Sequence, residues 1–210
     1  ALIANNISFQ GSQGYFVPLS IDPSFGDFSV NKASVLALNN IAFNADTEFQ
    51  GLNVPFTDEI QLVNPDGSIK TDKITSFRPI EQLHLSAGNT ISITEGKTIR
   101  ISVDTLEISA DGLAYTLSDN GTFVRSPRSI NDPTPVLDWK NASIINEQGI
   151  IRITAPSIRI TDSALSAGSR LEVDAQGQIV IARSEGPYNF PIGFSSPEDY
   201  ALTAPTVKLT

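Results

Sequence analysis

Between residues 83 and 121 the chain repeats itself at a pitch that suits a stack of short strands and little else. The text divides as LHLSAGNT, ISITEGKT, IRISVDT, LEISADG and LAYTLSDNG, with units beginning at 83, 91, 99, 106 and 113. Apolar residues alternate within the units: Leu83 and Leu85, Ile91 and Ile93, Ile99, Ile101 and Val103, then Leu106 and Ile108. A period of two is a strand pattern, because successive side chains point to opposite faces. About four residues of strand, each rising roughly 3.3 Å, followed by a turn, make one short edge of a solenoid or prism. The turns agree. Ala87-Gly88-Asn89, Glu95-Gly96-Lys97 and Ala110-Asp111-Gly112 put glycine where a positive φ costs little. Each strand hides one face only, so it needs neighbours above and below to complete a core.

The pattern resumes at Ile151/Ile153, Ile158/Ile160, Leu171/Val173 and Ile179/Ile181. The phrase ITAPSIRIT at 153–161 returns as LTAPTVKLT at 202–210. The two read as equivalent rungs. Ala-Pro sets the corner, since proline fixes φ and lacks a donor, and Ile158/Ile160 or Val207/Leu209 fill the core. The second copy carries no polar cap, so a partner subunit or further chain is expected to complete the stack.

Two excursions interrupt the repeats. Residues 118–141 contain Pro127, Pro133 and Pro135, and residues 184–200 are rich in proline, glycine and aromatics. Trp139 is expected to pack the first excursion onto the scaffold. Residues 1–75 keep strand-like pieces but are denser in aromatics, among them Phe9, Phe43 and Phe49. Segment 33–42 reads as a short helix or equally as a strand. The expected architecture is all-β: a small N-terminal β domain over 1–75, then an elongated β-solenoid over 76–210 with the two excursions. The turn-rich stretch 64–79 would join them.

Composition bounds the function. With 210 residues, 40% hydrophobic and 18% charged, the chain can build a core, and no apolar run approaches the roughly 18 residues of a membrane span. A net charge of −9 argues against nucleic acid and anionic lipid as partners. Cysteine is absent, so neither disulfides nor thiolate metal sites exist. His84, the only histidine, sits between Leu83 and Leu85, and alternation turns it outward. Glycoside hydrolysis needs two acids at a set separation, and Asp58/Glu59, Asp104/Glu107 and Asp132/Asp138 are the neighbouring acids that could supply them. Acids at corners and in loops are ordinary solubilising residues, however. No phosphate loop, nucleophile elbow or paired-histidine motif occurs. SDNG at 118–121 and NADTE at 44–48 read as turns rather than calcium loops. The first residues, ALIANNISFQ, lack the charged and apolar regions of a signal peptide.

The alternating units, their Gly/Asn/Asp turns and the TAP phrases resemble the β-helical needles of phage baseplate spikes and tail fibres. The likeness is greatest over ITAPSIRITDSALSAGSRLEVDAQGQIVI, and it covers about a third of the chain. It implies three intertwined chains, each short strand contributing one face of a triangular prism. The His-x-His iron motif frequent at spike tips is missing, and residues 1–75 do not read as the barrel that usually precedes the needle. The rival resemblance is to the right-handed β-helix of large secreted adhesins of the two-partner type. There, three edges of seven or eight residues make coils of about 21–24 residues.

The expected protein is therefore a non-enzymatic structural component of a phage particle, most readily a tail spike or fibre. It is expected to form a homotrimer, to attach to other virion proteins and to contact a host glycan or receptor. The alternatives are a β-helical segment of an extracellular or cell-surface bacterial adhesin, and a glycan-depolymerising tailspike. No catalytic residue, cofactor or metal is expected. The contact residues expected in the excursions are Trp139, Tyr188, Phe190 and Tyr200.

Overall fold

The computed structural model describes residues 2–10, 32–49, 53–127, 134–182, 202–203 and 206–210, and every regular element among them is a β-strand. The chain opens with β1 (Leu2–Phe9), β2 (Lys32–Phe43) and β3 (Thr47–Phe49), then a hairpin of β4 (Asn53–Val63) and β5 (Ile69–Pro79). There follow β6 (Gln82–Ala87), β7 (Thr90–Ile93), β8 (Thr98–Ile101) and β9 (Thr105–Ala110), and a second hairpin of β10 (Leu113–Leu117) and β11 (Phe123–Pro127). Next come β12 (Leu137–Lys140), β13 (Ser143–Asn146), β14 (Ile150–Ala155), β15 (Ile158–Thr161) and β16 (Ala164–Ala167). The last are β17 (Arg170–Ala175), β18 (Ile179–Ala182), β19 (Leu202–Thr203) and β20 (Thr206–Leu209).

Three sheets are parallel throughout. The largest runs β1-β2-β6-β9-β14-β17-β20, with β7 beside the second half of β2; the others run β19-β16-β13-β8-β3 and β12-β15-β18. Apart from β1 and β2, neighbours in these sheets are never consecutive in the chain. Gln82 pairs with Thr105, and Ile150 with Arg170. Leu137 pairs with Ile158, Ile158 in turn with Ile179, and Ser143 with Ala164. From β14 the chain passes to β15 in the three-stranded sheet, β16 in the five-stranded sheet, and back to the largest sheet as β17.

The alternation read in the sequence becomes columns of like side chains. Leu83, Leu106, Ile151 and Leu171 are consecutive register partners, as are Val35, Leu85, Ile108, Ile153 and Val173, and all are buried. Burying each such side chain stabilises by roughly 1.5–3 kcal/mol. Alanine ends four strands of the largest sheet, at Ala87, Ala110, Ala155 and Ala175, where the chain turns. Gly149 marks a closer approach still. A Cβ there would lie 2.1 Å from the Asp104 carbonyl oxygen.

One reading left open is decided and three change. Segment 33–42 is strand, its alternate residues from Ala33 to Ala37 buried. The expected boundary near 75 does not separate two sheets or two cores. β2 pairs with β6 and β3 with β8, and Ile7, Val35 and Phe43 join the same apolar cluster as Leu83 and Ile151. What lies before residue 80 as a distinct piece is the β4–β5 hairpin, a two-stranded sheet of its own. The aromatics stack within the common core: Phe9 lies parallel to Phe43 at 4.7 Å, with Phe49 edge-on to both.

The first excursion is shorter than expected, because 137–140 is β12, a strand of the three-stranded sheet. The two TAP phrases are not equivalent rungs either. The first carries the end of β14 into β15, from the largest sheet to the three-stranded one. The second joins β19 of the five-stranded sheet to β20 of the largest. Val207 and Leu209 thus partner Leu171 and Val173, not residues of the Ile158/Ile160 column. The strand pieces that flank the phrase fall in different pairs of sheets in its two copies.

Candidate interaction surface

The outward side chains also stack, and on the largest sheet Glu107, Arg152, Glu172 and Lys208 do so with alternating charge. His84, Glu107, Arg152, Glu172 and Lys208 are successive register partners. Arg152 donates from Nε to Glu172 at 2.6 Å, and its Nη1 lies 3.5 Å from Glu107. The hydrogen bond from Arg152, with Arg170 nearby, holds the Glu172 carboxyl below the usual carboxylate value. Hydrogen bonding to Glu172 likewise raises the Arg152 guanidinium. His84 Nε2 lies 3.1 Å from Ser109 Oγ, a cross-strand bond on the same face.

Ion pairs occur on the other sheets too, and one of them, Asp138 with Arg159, joins register partners. Arg100 reaches Glu147 at 2.6 Å, Arg159 Nε donates to Asp138 at 2.8 Å, and Lys140 lies 3.3 Å from Glu95. These last two pairs, with Ile93 and Thr161, line a shallow groove of about 440 Å³.

Corners are sealed by short polar side chains. Asn146 is fully buried; its Oδ1 accepts from Val103 N–H at 3.1 Å and its Nδ2 donates to the Ile150 carbonyl at 2.9 Å. Asn39 fixes the second hairpin. Its Oδ1 accepts from Tyr115 N–H at 2.6 Å while its Nδ2 donates to the Tyr115 carbonyl at 2.9 Å, so the amide stands in for a neighbouring strand. It also donates to Asn5, and Asn40 bonds Asn6 and Asn89. These asparagines hold corners and a hairpin in place, and no functional motif in the sequence marks them. A signal was present in the recurring doublets Asn5-Asn6 and Asn39-Asn40.

Two hairpins present apolar side chains to solvent. Leu62, Val63 and Ile69 are exposed near the end of the first, and Leu117 and Val124 on the second. Arg125 stacks over the Tyr115 ring at 5.7 Å and pairs with Asp111 at 3.2 Å, bracing the second hairpin at its base.

Trp139 is not a contact residue. It is fully buried, and its Nε1–H donates to the Ile91 carbonyl at 2.9 Å, so it packs the core between β12 and β7. Alternation along β12 turns Leu137 and Trp139 inward together. Tyr188, Phe190 and Tyr200, and with them the excursion 184–200, lie outside the described residues.

Three of the acids considered for glycoside chemistry are ion-paired, Glu59 with Lys73 at 3.4 Å, Glu107 with Arg152, and Asp138 with Arg159, while Asp132 lies outside the described residues. SDNG is a turn in which Ser118, Asn120 and Thr122 bond one another, and Asp46 of NADTE accepts from Thr98 N–H. Among the described residues no group of acidic or imidazole side chains gathers as a metal site, and no helix is long and apolar enough to cross a membrane. Comparison with protein-family models, curated proteins and solved structures finds no match for this chain.

Proposed function

We propose that the three parallel ladders close into a single three-sided β-helix, and that this chain is a non-enzymatic shaft segment of an extracellular bacterial adhesin. The observation that carries this reading is the source of each strand's neighbours. β9, β14, β15, β16 and β17 each find both partners within the same chain. Where no excursion or hairpin intervenes, successive partners are separated by roughly three edges of seven or eight residues, one full coil. An intertwined trimer would instead draw those partners from its other chains.

The shaft's work is mechanical. Stacked parallel strands satisfy one another's backbone groups, inward columns exclude water, and outward ion-pair ladders keep the faces soluble. Glu107, Asp138 and Glu59 each lie against an arginine or lysine, the arrangement of a solvated charged face. The projecting hairpins are where recognition of a host glycan or receptor belongs, since segments carried on a rigid scaffold commonly hold binding residues.

The second reading is the rigid trimeric shaft of a phage tail. It is favoured by the exposed apolar residues Ile181, Val207 and Leu209, which a neighbouring chain would cover. Thermal unfolding followed by circular dichroism at several chain concentrations separates the two. A self-contained β-helix stays folded at dilutions where light scattering gives the mass of a single chain. A trimeric mass in light scattering, with a midpoint that rises with concentration, overturns it.

A further inference from the structure

The β4–β5 hairpin pairs with no other strand among the described elements. Its residues from Glu59 to Lys73 are exposed apart from Ile60, which is half-buried. Val63 and Ile69, register partners near its end, are 71% and 64% exposed. A two-stranded ribbon is marginal in water, and its free edges are templates for a further strand.

Which backbone groups face outward follows from the turn. Asn64 N–H donates to the Ser68 carbonyl at 2.8 Å, which makes these two a hydrogen-bonded pair. Bonded and non-bonded pairs alternate along an antiparallel ribbon. Leu62–Lys70 and Ile60–Asp72 are then the next bonded pairs, with Val63–Ile69, Gln61–Thr71 and Glu59–Lys73 between them. Ile69, Thr71 and Lys73 therefore hold their N–H and C=O groups away from β4, along the outer edge of β5, where the Lys73 N–H donates to Asp72 Oδ1 at 3.0 Å and must exchange that partner on pairing.

We propose that this edge receives a second copy of the chain, β5 against β5, antiparallel about a two-fold axis through Thr71. Charge selects both the occupant and the register. Centring the pair on Lys70 would oppose lysine to lysine, and centring it on Asp72 would oppose aspartate to aspartate; like charges directly opposite destabilise a ladder. Lys70 and Asp72 lie 3.6 Å apart on one face of β5, and centring on Thr71 opposes Lys70 to the second copy's Asp72 and Asp72 to its Lys70, joining the two pairs into one group of four charges. Thr71 then meets Thr71 on the axis, and Ile69 lies along the aliphatic stem of Lys73. The same register matches the three outward-facing residues to one another as bonded pairs. The product is a four-stranded antiparallel sheet, closed by its symmetry at two chains. This interface is separate from the proposed shaft, whose strands find their partners within one chain.

Sedimentation equilibrium of the full chain over a range of concentrations tests the proposal, with circular dichroism to confirm that each variant is folded. The native chain is expected to dimerise. Thr71→Pro removes an outward N–H and leaves the β4–β5 ladder in place, and it is expected to weaken dimerisation at least about tenfold, the factor equal to roughly 1.4 kcal/mol. Asp72→Lys opposes lysine to lysine and should weaken it similarly. Combining Lys70→Asp with Asp72→Lys restores the opposite-charge pairs and should restore the dimer. A native chain that stays monomeric at every concentration reached, a dimer indifferent to Asp72→Lys, or a double variant no better than the single one overturns the proposal.

Discussion

The stack of parallel strands and the β4–β5 hairpin are both made of pleated strands, and β4 alternates at Val54, Phe56, Ile60 and Leu62 as the stack does, yet the two regions have opposite fates. In the stack, Ile151 lies between Leu106 and Leu171 and is fully buried. In the hairpin, Val63 has one register partner, Ile69, and both are exposed. What differs is the number of neighbours. A strand with partners on both sides, and with two further sheets sharing its apolar cluster, acquires a core. A strand with one partner only acquires a register. Period two therefore specifies a pleat, and burial is decided by what stacks on it.

The comparison is broken most severely from the stack side. Ile151→Asp places an unpaired carboxylate between two apolar layers, where burial of a charge without a partner costs at least about 3–5 kcal/mol. Set against a total stability of about 5–15 kcal/mol, that loss is expected to abolish the cooperative β-sheet transition in thermal circular dichroism. A variant that melts within a few degrees of the native chain would mean the column is not a core.

Much of this was legible beforehand, and the limits are physical. Alternation at Leu83/Leu85, Leu106/Ile108 and Ile151/Ile153 identified strands and their inward faces, because pleating depends only on near neighbours. It placed His84 outward for the same reason, and it allowed Trp139 to be read as packing, though not as excluded from contact. Domain organisation was not legible. Whether β2 belongs with β6 depends on a pairing made across an inserted hairpin, whose first strand shows the same alternation. The repeated TAP phrase misled for a related reason, since corner chemistry is local and sheet identity is not. Asn39 and Asn146 were missed because their partners, Tyr115 and Val103, lie 76 and 43 residues away.

Next in size is the loss of a corner. Asn146→Ala leaves Val103 N–H and the Ile150 carbonyl without its amide in a buried place. Unmade buried hydrogen bonds of this kind cost about 1–3 kcal/mol. Chemical denaturation should show a lower midpoint with an unchanged slope, since the fold is kept and only its stability falls. An unaltered midpoint would show that the corner does not depend on this amide.

A smaller effect is expected on the outer ladder, and it carries a pH dependence. The carboxyl of Glu172 sits below its ordinary 4.5 in the folded chain because Arg152 and Arg170 favour its charged form. Its contribution to stability is therefore present above 4.5 and is lost as pH falls through the lowered folded value. Glu172→Gln should reduce the thermal midpoint slightly at neutral pH, by about the 0–1 kcal/mol typical of exposed pairs. The native and variant curves should converge toward the acid limit. Curves that stay parallel down to that limit would remove the charge interaction as the cause.

The smallest effect belongs to the hairpin and completes the contrast. Val63→Asp makes the same kind of change, apolar to acid in a strand, as Ile151→Asp. At an exposed position with a single partner, Ile69, no cavity forms and no charge is desolvated. Substitutions away from such features usually fall within about 0.5 kcal/mol. The thermal midpoint of the chain should therefore stay within measurement error of the native value, although the residue is as hydrophobic as many in the core. A drop approaching that of Ile151→Asp would mean that Val63 is covered in the folded protein. The exposed end of the hairpin would then be part of the core, and neighbour count would not be what separates the two regions.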